Sequence, residues 1–195
     1  MDIAHKNKTD DSLRGFLTAA KSGVKKAAEA IDIMSNSNIR MDVISAGIAP
    51  TSRLAEISGS PEDIVVGVYI SVEGDIPGHA LLIFPINSAL ALVDLLMGKE
   101  IGTYTDMDEF EQSTIQEVGN IVNSAYLNSI SDFYGCRLWP SPPAIAIDMA
   151  SAVIDSVLLN TGLYDEDTIS IVTRFAGNNR ILRGFFLYVP EINTL

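Results

Sequence analysis

The sequence predicts a mixed α/β fold, of the α+β kind, in which a unit of one long helix, one strand and one hairpin occurs twice. The first reason is the order of periodic segments, because helical and then strand-like patterns follow each other in both halves of the chain. The second reason is that both hairpins end alike, in Leu82-Ile83-Phe84-Pro85 and in Leu187-Tyr188-Val189-Pro190. We expect one mostly antiparallel sheet with both long helices on one of its faces.

The length of the chain, 195 residues, suggests one domain or two small ones, with enough residues to bury a substantial core. Residues 1–11 are mostly polar and without periodicity, and we expect them to form a flexible tail. We expect residues 12–195 to form one domain, in which two pseudo-repeats cover about 12–98 and 106–190.

The elements of the first half follow from periodicity and from turn residues. Apolar residues that recur at three and four positions predict a helix, whereas alternating or β-branched runs between turn residues predict strands. The expected elements are a long helix at 12–35, a strand at 39–48, a hairpin at 64–72 and 80–84, and a short helix at 89–97 that is capped by Asn87 or Ser88 and ended by Gly98.

The second half repeats this order, and glycine and proline residues mark the ends of its elements more clearly. Its long helix ends at a glycine, and its first strand has a proline-rich start followed by Ala-Ile-Ala-Ile. The expected elements are a long helix at 106–134 ended by Gly135, a strand at 137–148, a short helix at 150–159 closed by Gly162, and a hairpin at 169–175 and 181–189.

Composition excludes several classes of function. The chain has 13 basic and 25 acidic side chains, and its net charge of −12 argues against nucleic acids and anionic membranes as partners. A single cysteine, Cys136, excludes intramolecular disulfides and multi-cysteine zinc sites. Prolines and a glycine interrupt the uncharged stretch at 76–93, and the N-terminus is polar, so we expect neither a membrane helix nor a signal peptide. We expect a cytoplasmic protein.

Catalytic groups of the usual kinds are scarce. His5 lies in the expected tail, and His79 begins a hairpin strand, where we interpret it as structural. Cys136 follows the glycine that ends the long helix and is interpreted as an inert thiol. An acidic run at 106–111 lacks the glycine that a calcium loop requires, so we interpret it as the stabilised start of a helix. No metal site is expected on the chain.

A polar stripe in the second long helix is the remaining candidate site. Ser113, Glu117 and Asn120 are spaced four and three apart, so they project from one face of a helix. Gly119 costs roughly 1 kcal/mol relative to alanine in a helix interior, and it would let another backbone approach closely. On spacing alone, we interpret these residues as an ordinary solvated helix face, with a functional site as the alternative.

The segment from Asp108 to Ile121, DEFEQSTIQEVGNI, resembles the signature helix of the CheC, CheX and FliY family. The family motif is Ser or Asp, three residues, Glu, two residues, Asn, 22 residues and Pro. Ser113, Glu117, Asn120 and Pro143 fit all four positions. The flanking segments SALALVDLLMGK and PSPPAIAIDMA also resemble CheC, so that the likeness is close over residues 85–155 and looser through the repeat elsewhere.

The resemblance implies a phosphatase that removes phosphate from the chemotaxis response regulator CheY. Glu117 and Asn120 would be its catalytic residues, and Ser113 and Pro143 would shape the surface on which the substrate docks. An asparagine amide has a donor and an acceptor, so Asn120 can orient water but cannot act as a general base. The resemblance implies no cofactor on this chain, with Mg²⁺ on the response regulator.

Members of the family often carry a second copy of the motif on their first long helix. Aligning the two repeats places Arg14, Thr18, Lys21 and Ile44 at the four motif positions, and none of them matches. A lysine cannot replace an amide, because it has no acceptor. We therefore expect one active site, on the second long helix.

Three functions remain open at this point. The first is catalysis on a phosphorylated CheY-like receiver domain. The second is a CheC-like adaptor that binds CheD or phosphorylated CheY with little turnover. The third is a structural role in the flagellar switch, as in FliM or FliY.

Overall fold

The structure of this protein is a computed structural model that describes residues 15, 18–19, 21–33, 40–50, 54, 56, 59–161, 167–177 and 180–190. The expected tail at 1–11 and the glycine at position 162 lie outside the described residues. In the part of the chain that is described, no helix is long and apolar enough to cross a membrane.

In the described part of the chain, seven strands form one sheet whose pairings are all antiparallel, in agreement with the mostly antiparallel sheet that the sequence predicts. The strand order is β1-β6-β7-β3-β2-β4, and β5 also pairs with β2. The strands are β1 (Arg40–Pro50), β2 (Ile64–Gly74), β3 (Gly78–Pro85), β4 (Leu138–Pro140), β5 (Ala144–Met149), β6 (Asp167–Gly177) and β7 (Arg180–Pro190).

The strand order is symmetric about the centre of the sheet. The central pair is β7 and β3, which are the second strands of the two hairpins. Next to them lie β6 and β2, the first hairpin strands, and the edges are formed by the strands that follow the long helices. Each edge strand therefore pairs with a hairpin from the other half of the chain.

Among the helices whose bounds the structure describes, two starts differ from the prediction. Pro85 is the N-cap residue of α2, so Asn87 and Ser88 lie inside the first turn instead of capping it. The reason is that proline fixes φ and lacks an N–H, which suits the start of a helix. The other shifted start is that of α3, and the bounds are α1 (described at 21–33), α2 (Ile86–Leu96), α3 (Glu109–Tyr134) and α4 (Ala150–Thr161).

The two long helices, α1 and α3, lie against each other on one face of the sheet. A Cβ added at Gly23 of α1 would stand 2.9 Å from the Cα of Tyr126, so this glycine allows the helix backbones to approach closely. Lys26 forms an ion pair with Asp132 across the same contact, at 2.9 Å. Both helices share one buried apolar cluster with the sheet, which agrees with the predicted layer.

The opposite face of the sheet is covered by α4. Val153 and Val157 of this helix pack into a second apolar cluster with strand residues such as Leu81. Gly67 permits this contact, because an added Cβ would lie 2.6 Å from Cγ1 of Val153. With both faces covered, α3 is held firmly over β2, and this positions the candidate site.

Candidate functional site

Three of the four motif residues lie together on the outer side of α3. Ser113, Glu117 and Asn120 are all exposed, and they span about 10 Å along the helix axis at 1.5 Å per residue. The buried side of the same helix carries Ile115 and Val118, which anchor it on the sheet. The predicted polar stripe is therefore a solvent-facing surface on a helix with a fixed orientation.

The side chains of Glu117 and Asn120 are available for an external partner. Within the described parts of the chain, neither side chain has a hydrogen bond or an ion pair. Ser113 differs, because its hydroxyl donates to the carbonyl of Glu109 at 2.8 Å, a bond to the preceding helical turn. The carboxylate and the amide are thus exposed one turn apart with no competing internal contact.

The glycine beside the stripe permits the close approach that the sequence predicts. Gly119 is buried and faces the sheet, where an added Cβ would stand 2.6 Å from the Cβ of Val68. The backbone that approaches is that of β2, so Gly119 allows α3 to lie close to the sheet. The signal was present in the sequence, because Gly119 follows Ile115 by four residues and precedes Val122 by three, on the apolar stripe.

The fourth motif residue, Pro143, lies in a bulge beside α3. In the pairing with β2, Pro140 is opposite Val72 and Ala144 is opposite Tyr69. Two residues of β2 therefore face three residues, 141–143, on the edge strand, which makes the segment between β4 and β5 a β-bulge. Prolines are tolerated there because an edge or a bulge needs no ladder donor.

A hydrogen bond between side chain and backbone links this bulge to the helix of the polar stripe. The Nε2 atom of Gln116 donates to the carbonyl oxygen of Pro143 at 2.6 Å. Gln116 directly precedes Glu117 in the chain, so the bond places Pro143 beside the polar stripe. Gln116 could not be identified from the sequence, because nothing in a separation of 27 residues indicates the contact.

His79 and Cys136 lie in surroundings that fit the structural roles predicted for them. His79 is 8% exposed, and its Nδ1 atom lies 2.7 Å from the hydroxyl of Tyr69, which fits the predicted structural role. Cys136 is half-buried, and burial, followed by the charge of Asp75, raises the pKa of its thiol. A raised thiol pKa lowers the thiolate fraction at neutral pH, as expected of an unreactive cysteine.

The acidic run lies at the start of α3. Asp108 is the N-cap residue, and Glu109 and Glu111 lie in the first turn, where negative charge is favourable. Within the residues that the structure describes, no group of three or more histidine, cysteine or acidic side chains is arranged to hold a metal ion.

The first repeat presents a related surface without the motif. Thr18 and Lys21 are exposed on the first helical segment, while Arg14 lies outside the described residues. In the pairing of β1 with β6 the register shifts between Val43 and Ser45, so that the strand is irregular at Ile44. The position aligned with Pro143 is thus also at a bulge of an edge strand.

Comparisons with known proteins agree with this geometry. The model of the CheC-like family matches residues 110–147, the segment that runs from the stripe to the bulge. Over 176 residues the chain is 28% identical to the CheY-P phosphatase CheC of Bacillus subtilis (strain 168), and the match covers 88% of this chain and 84% of that protein.

Solved structures share the fold at lower identity. FliY of Thermotoga maritima is 17% identical with a TM-score of 0.69, and the match covers 89% of this chain and 86% of that one. The FliM middle domain from H. pylori is 14% identical with a TM-score of 0.64, covering 92% of each chain. The four-residue motif, the matched CheC-like segment and the curated relative agree, so the chain is similar to members of the CheC/CheX/FliY family, and the solved structures share its fold.

Proposed function

We propose that this protein is a chemotaxis phosphatase that hydrolyses the aspartyl phosphate of a CheY-like response regulator. The observation that carries this proposal is the pair formed by Glu117 and Asn120, exposed one turn apart on α3 and without a partner among the described residues. The matched family segment contains both residues, and a relative is named a CheY-P phosphatase.

Asn120 orients the attacking water in the proposed mechanism. An aspartyl phosphate is an activated acyl phosphate, and its hydrolysis depends mainly on a water molecule held in line with the phosphorus. The amide of Asn120 can accept a hydrogen bond from that water and donate another to a phosphoryl oxygen. Because an amide is not basic at neutral pH, Asn120 positions the nucleophile without deprotonating it.

Glu117 positions the receiver domain in the proposed complex. Its carboxylate is exposed and forms no ion pair with a described residue, so it can pair with a lysine of the partner's active site. Ser113 and Pro143 flank the pair and would complete the docking surface. Mg²⁺ would be bound by the receiver, and this chain would need no cofactor of its own.

An adaptor that binds CheD or phosphorylated CheY is the second candidate. It is favoured by the first repeat, where Thr18 and Lys21 are exposed on a helix without a carboxylate or an amide at the motif positions. Such a surface can hold a partner, but it cannot orient water as Asn120 can.

The decay of a phosphorylated receiver separates the two candidates. Decay should accelerate when this protein is present at about one hundredth of the receiver concentration, because an enzyme turns over many times. Decay that changes only at equimolar protein, or becomes slower, would support the adaptor. The phosphatase proposal would be contradicted if this protein left the decay of every CheY-like receiver tried unchanged at all ratios of protein to receiver.

A further inference from the structure

The hydrogen bond between Gln116 and Pro143 connects two parts of the proposed site that the sheet holds separately. Gln116 belongs to α3, which carries Glu117 and Asn120, whereas Pro143 belongs to the edge of the sheet. The Nε2 atom of Gln116 and the carbonyl oxygen of Pro143 are 2.6 Å apart, and both residues are half-buried. The bond is therefore partly shielded from competing water.

The bulge has few other means of fixing its position. Pro142 and Pro143 have no N–H, so Ser141 is the bulge residue with a backbone donor. Ser141 bonds β2 twice, from its N–H to the Ser71 carbonyl at 2.8 Å and through its hydroxyl to the Ser71 N–H at 3.0 Å. The start of the bulge is thus tied to the sheet, while its last carbonyl is tied to the helix by Gln116.

We propose that Gln116 is a positioning residue of the phosphatase site, which holds the Pro143 bulge at a fixed distance from Glu117 and Asn120. This inference rests on the proposed function. A receiver that docks on the helix and on the bulge at once needs both surfaces in register before it arrives. Without the bond, each docking event must also order the bulge, and the free energy of this ordering weakens binding.

The two kinetic constants should respond differently to the loss of Gln116. Asn120 and Glu117 belong to α3 itself, so they keep their places when the bulge is released. The KM for the phosphorylated receiver should rise about fivefold, the size of one ordinary hydrogen bond, while kcat stays within about twofold. Loss of a residue that supported only the fold would lower the melting temperature without raising KM relative to kcat.

The chain offers a matched control one turn earlier on the same helix. Gln112 is also half-buried, and its Nε2 atom donates to the carbonyl of Met107 at 2.8 Å, away from the bulge. Gln116→Met and Gln112→Met each remove one such bond while keeping charge and side-chain length. Gln116→Glu is a second variant, because a carboxylate at neutral pH cannot donate to the Pro143 carbonyl.

The experiment measures KM and kcat for dephosphorylation of a phosphorylated CheY-like receiver, with the melting temperature of each variant. We expect both Gln116 variants to raise KM and Gln112→Met to leave it unchanged, although Gln116→Met and Gln112→Met should lower the melting temperature alike. Equal KM values in wild type, Gln116→Met and Gln116→Glu would overturn the inference and leave the proposed function intact. A wild-type protein without turnover would overturn both.

Discussion

The change Asn120→Ala tests the water-orienting role directly. Asn120 is exposed, lies in the middle of α3 and makes no hydrogen bond with any described residue, so its removal breaks no internal contact. Alanine is the better helix former by about 0.5 kcal/mol, and the free energy of unfolding should stay equal or rise slightly. Loss of one positioned polar group should lower kcat about 10²-fold, equivalent to about 2.7 kcal/mol in the barrier.

Asn128→Ala is the control for this prediction. Asn128 is an exposed asparagine of the same helix, two turns beyond Asn120, so the substitution has the same chemistry and the same effect on helix propensity. The assay is the decay of phosphorylated receiver with catalytic protein, together with thermal unfolding of each variant. We expect Asn128→Ala to retain activity within about twofold. The reasoning is refuted if Asn120→Ala keeps more than half of the wild-type rate, or if both variants lose activity equally.

Three further changes test the surroundings of the site. Glu117→Lys reverses the charge of the side chain opposite a partner lysine, so binding to the phosphorylated receiver should weaken. Added salt should weaken the wild-type complex and reduce the difference in affinity between wild type and variant. Affinities that do not depend on salt in either protein would count against the pairing role of Glu117. Gly119→Ala should destabilise the fold by about 1–3 kcal/mol, measured by denaturant unfolding, because the new Cβ collides with β2. Combining Arg14→Asp, Thr18→Glu and Lys21→Asn should leave the fold intact and not lower turnover, and loss of all activity would reveal a contribution of the first helix.

The structure also changes the prospect of restoring the first motif completely. Ile44→Pro would be disruptive in a regular central strand, but β1 is an edge strand and its register shifts at this residue. We therefore expect the quadruple variant to fold, with a circular dichroism spectrum like that of wild type. Turnover should approach twice the wild-type value if the first face can dock a receiver. A quadruple variant that unfolds would show that the edge at Ile44 needs its backbone N–H.

Local patterns predicted most of the elements, and the exceptions have physical reasons. Periods of 3.6 and 2 follow from backbone geometry, so the stripe of Ser113, Glu117 and Asn120 could be placed on one helix face from spacing alone. The predicted start of α2 was wrong because the helix begins directly after Pro85, which is its N-cap residue, and not after Asn87 or Ser88. Such competition between neighbouring signals is decided by the tertiary surroundings.

The contact between Gln116 and Pro143 could not be predicted in the same way. It depends on an extra residue in the edge strand, and therefore on the register between β5 and β2. Register is set by interactions between segments far apart in the chain, which a single sequence does not display. The family motif marked Pro143 as relevant, but only the fold shows which side chain reaches it.

The exchange of edge strands between the two halves has a consequence for the integrity of the candidate site. The strands that carry Pro143 are hydrogen bonded to β2 of the first half, and β1 of the first half is bonded to β6 of the second. A half released from the other would leave unpaired backbone along a hairpin, and its apolar face would be exposed. None of the four motif residues stands at Arg14, Thr18, Lys21 or Ile44, yet the first half supplies β2, the strand to which the bulge beside α3 is attached. A shortened chain that kept α3 but lacked the first half would therefore lose the support of the candidate site.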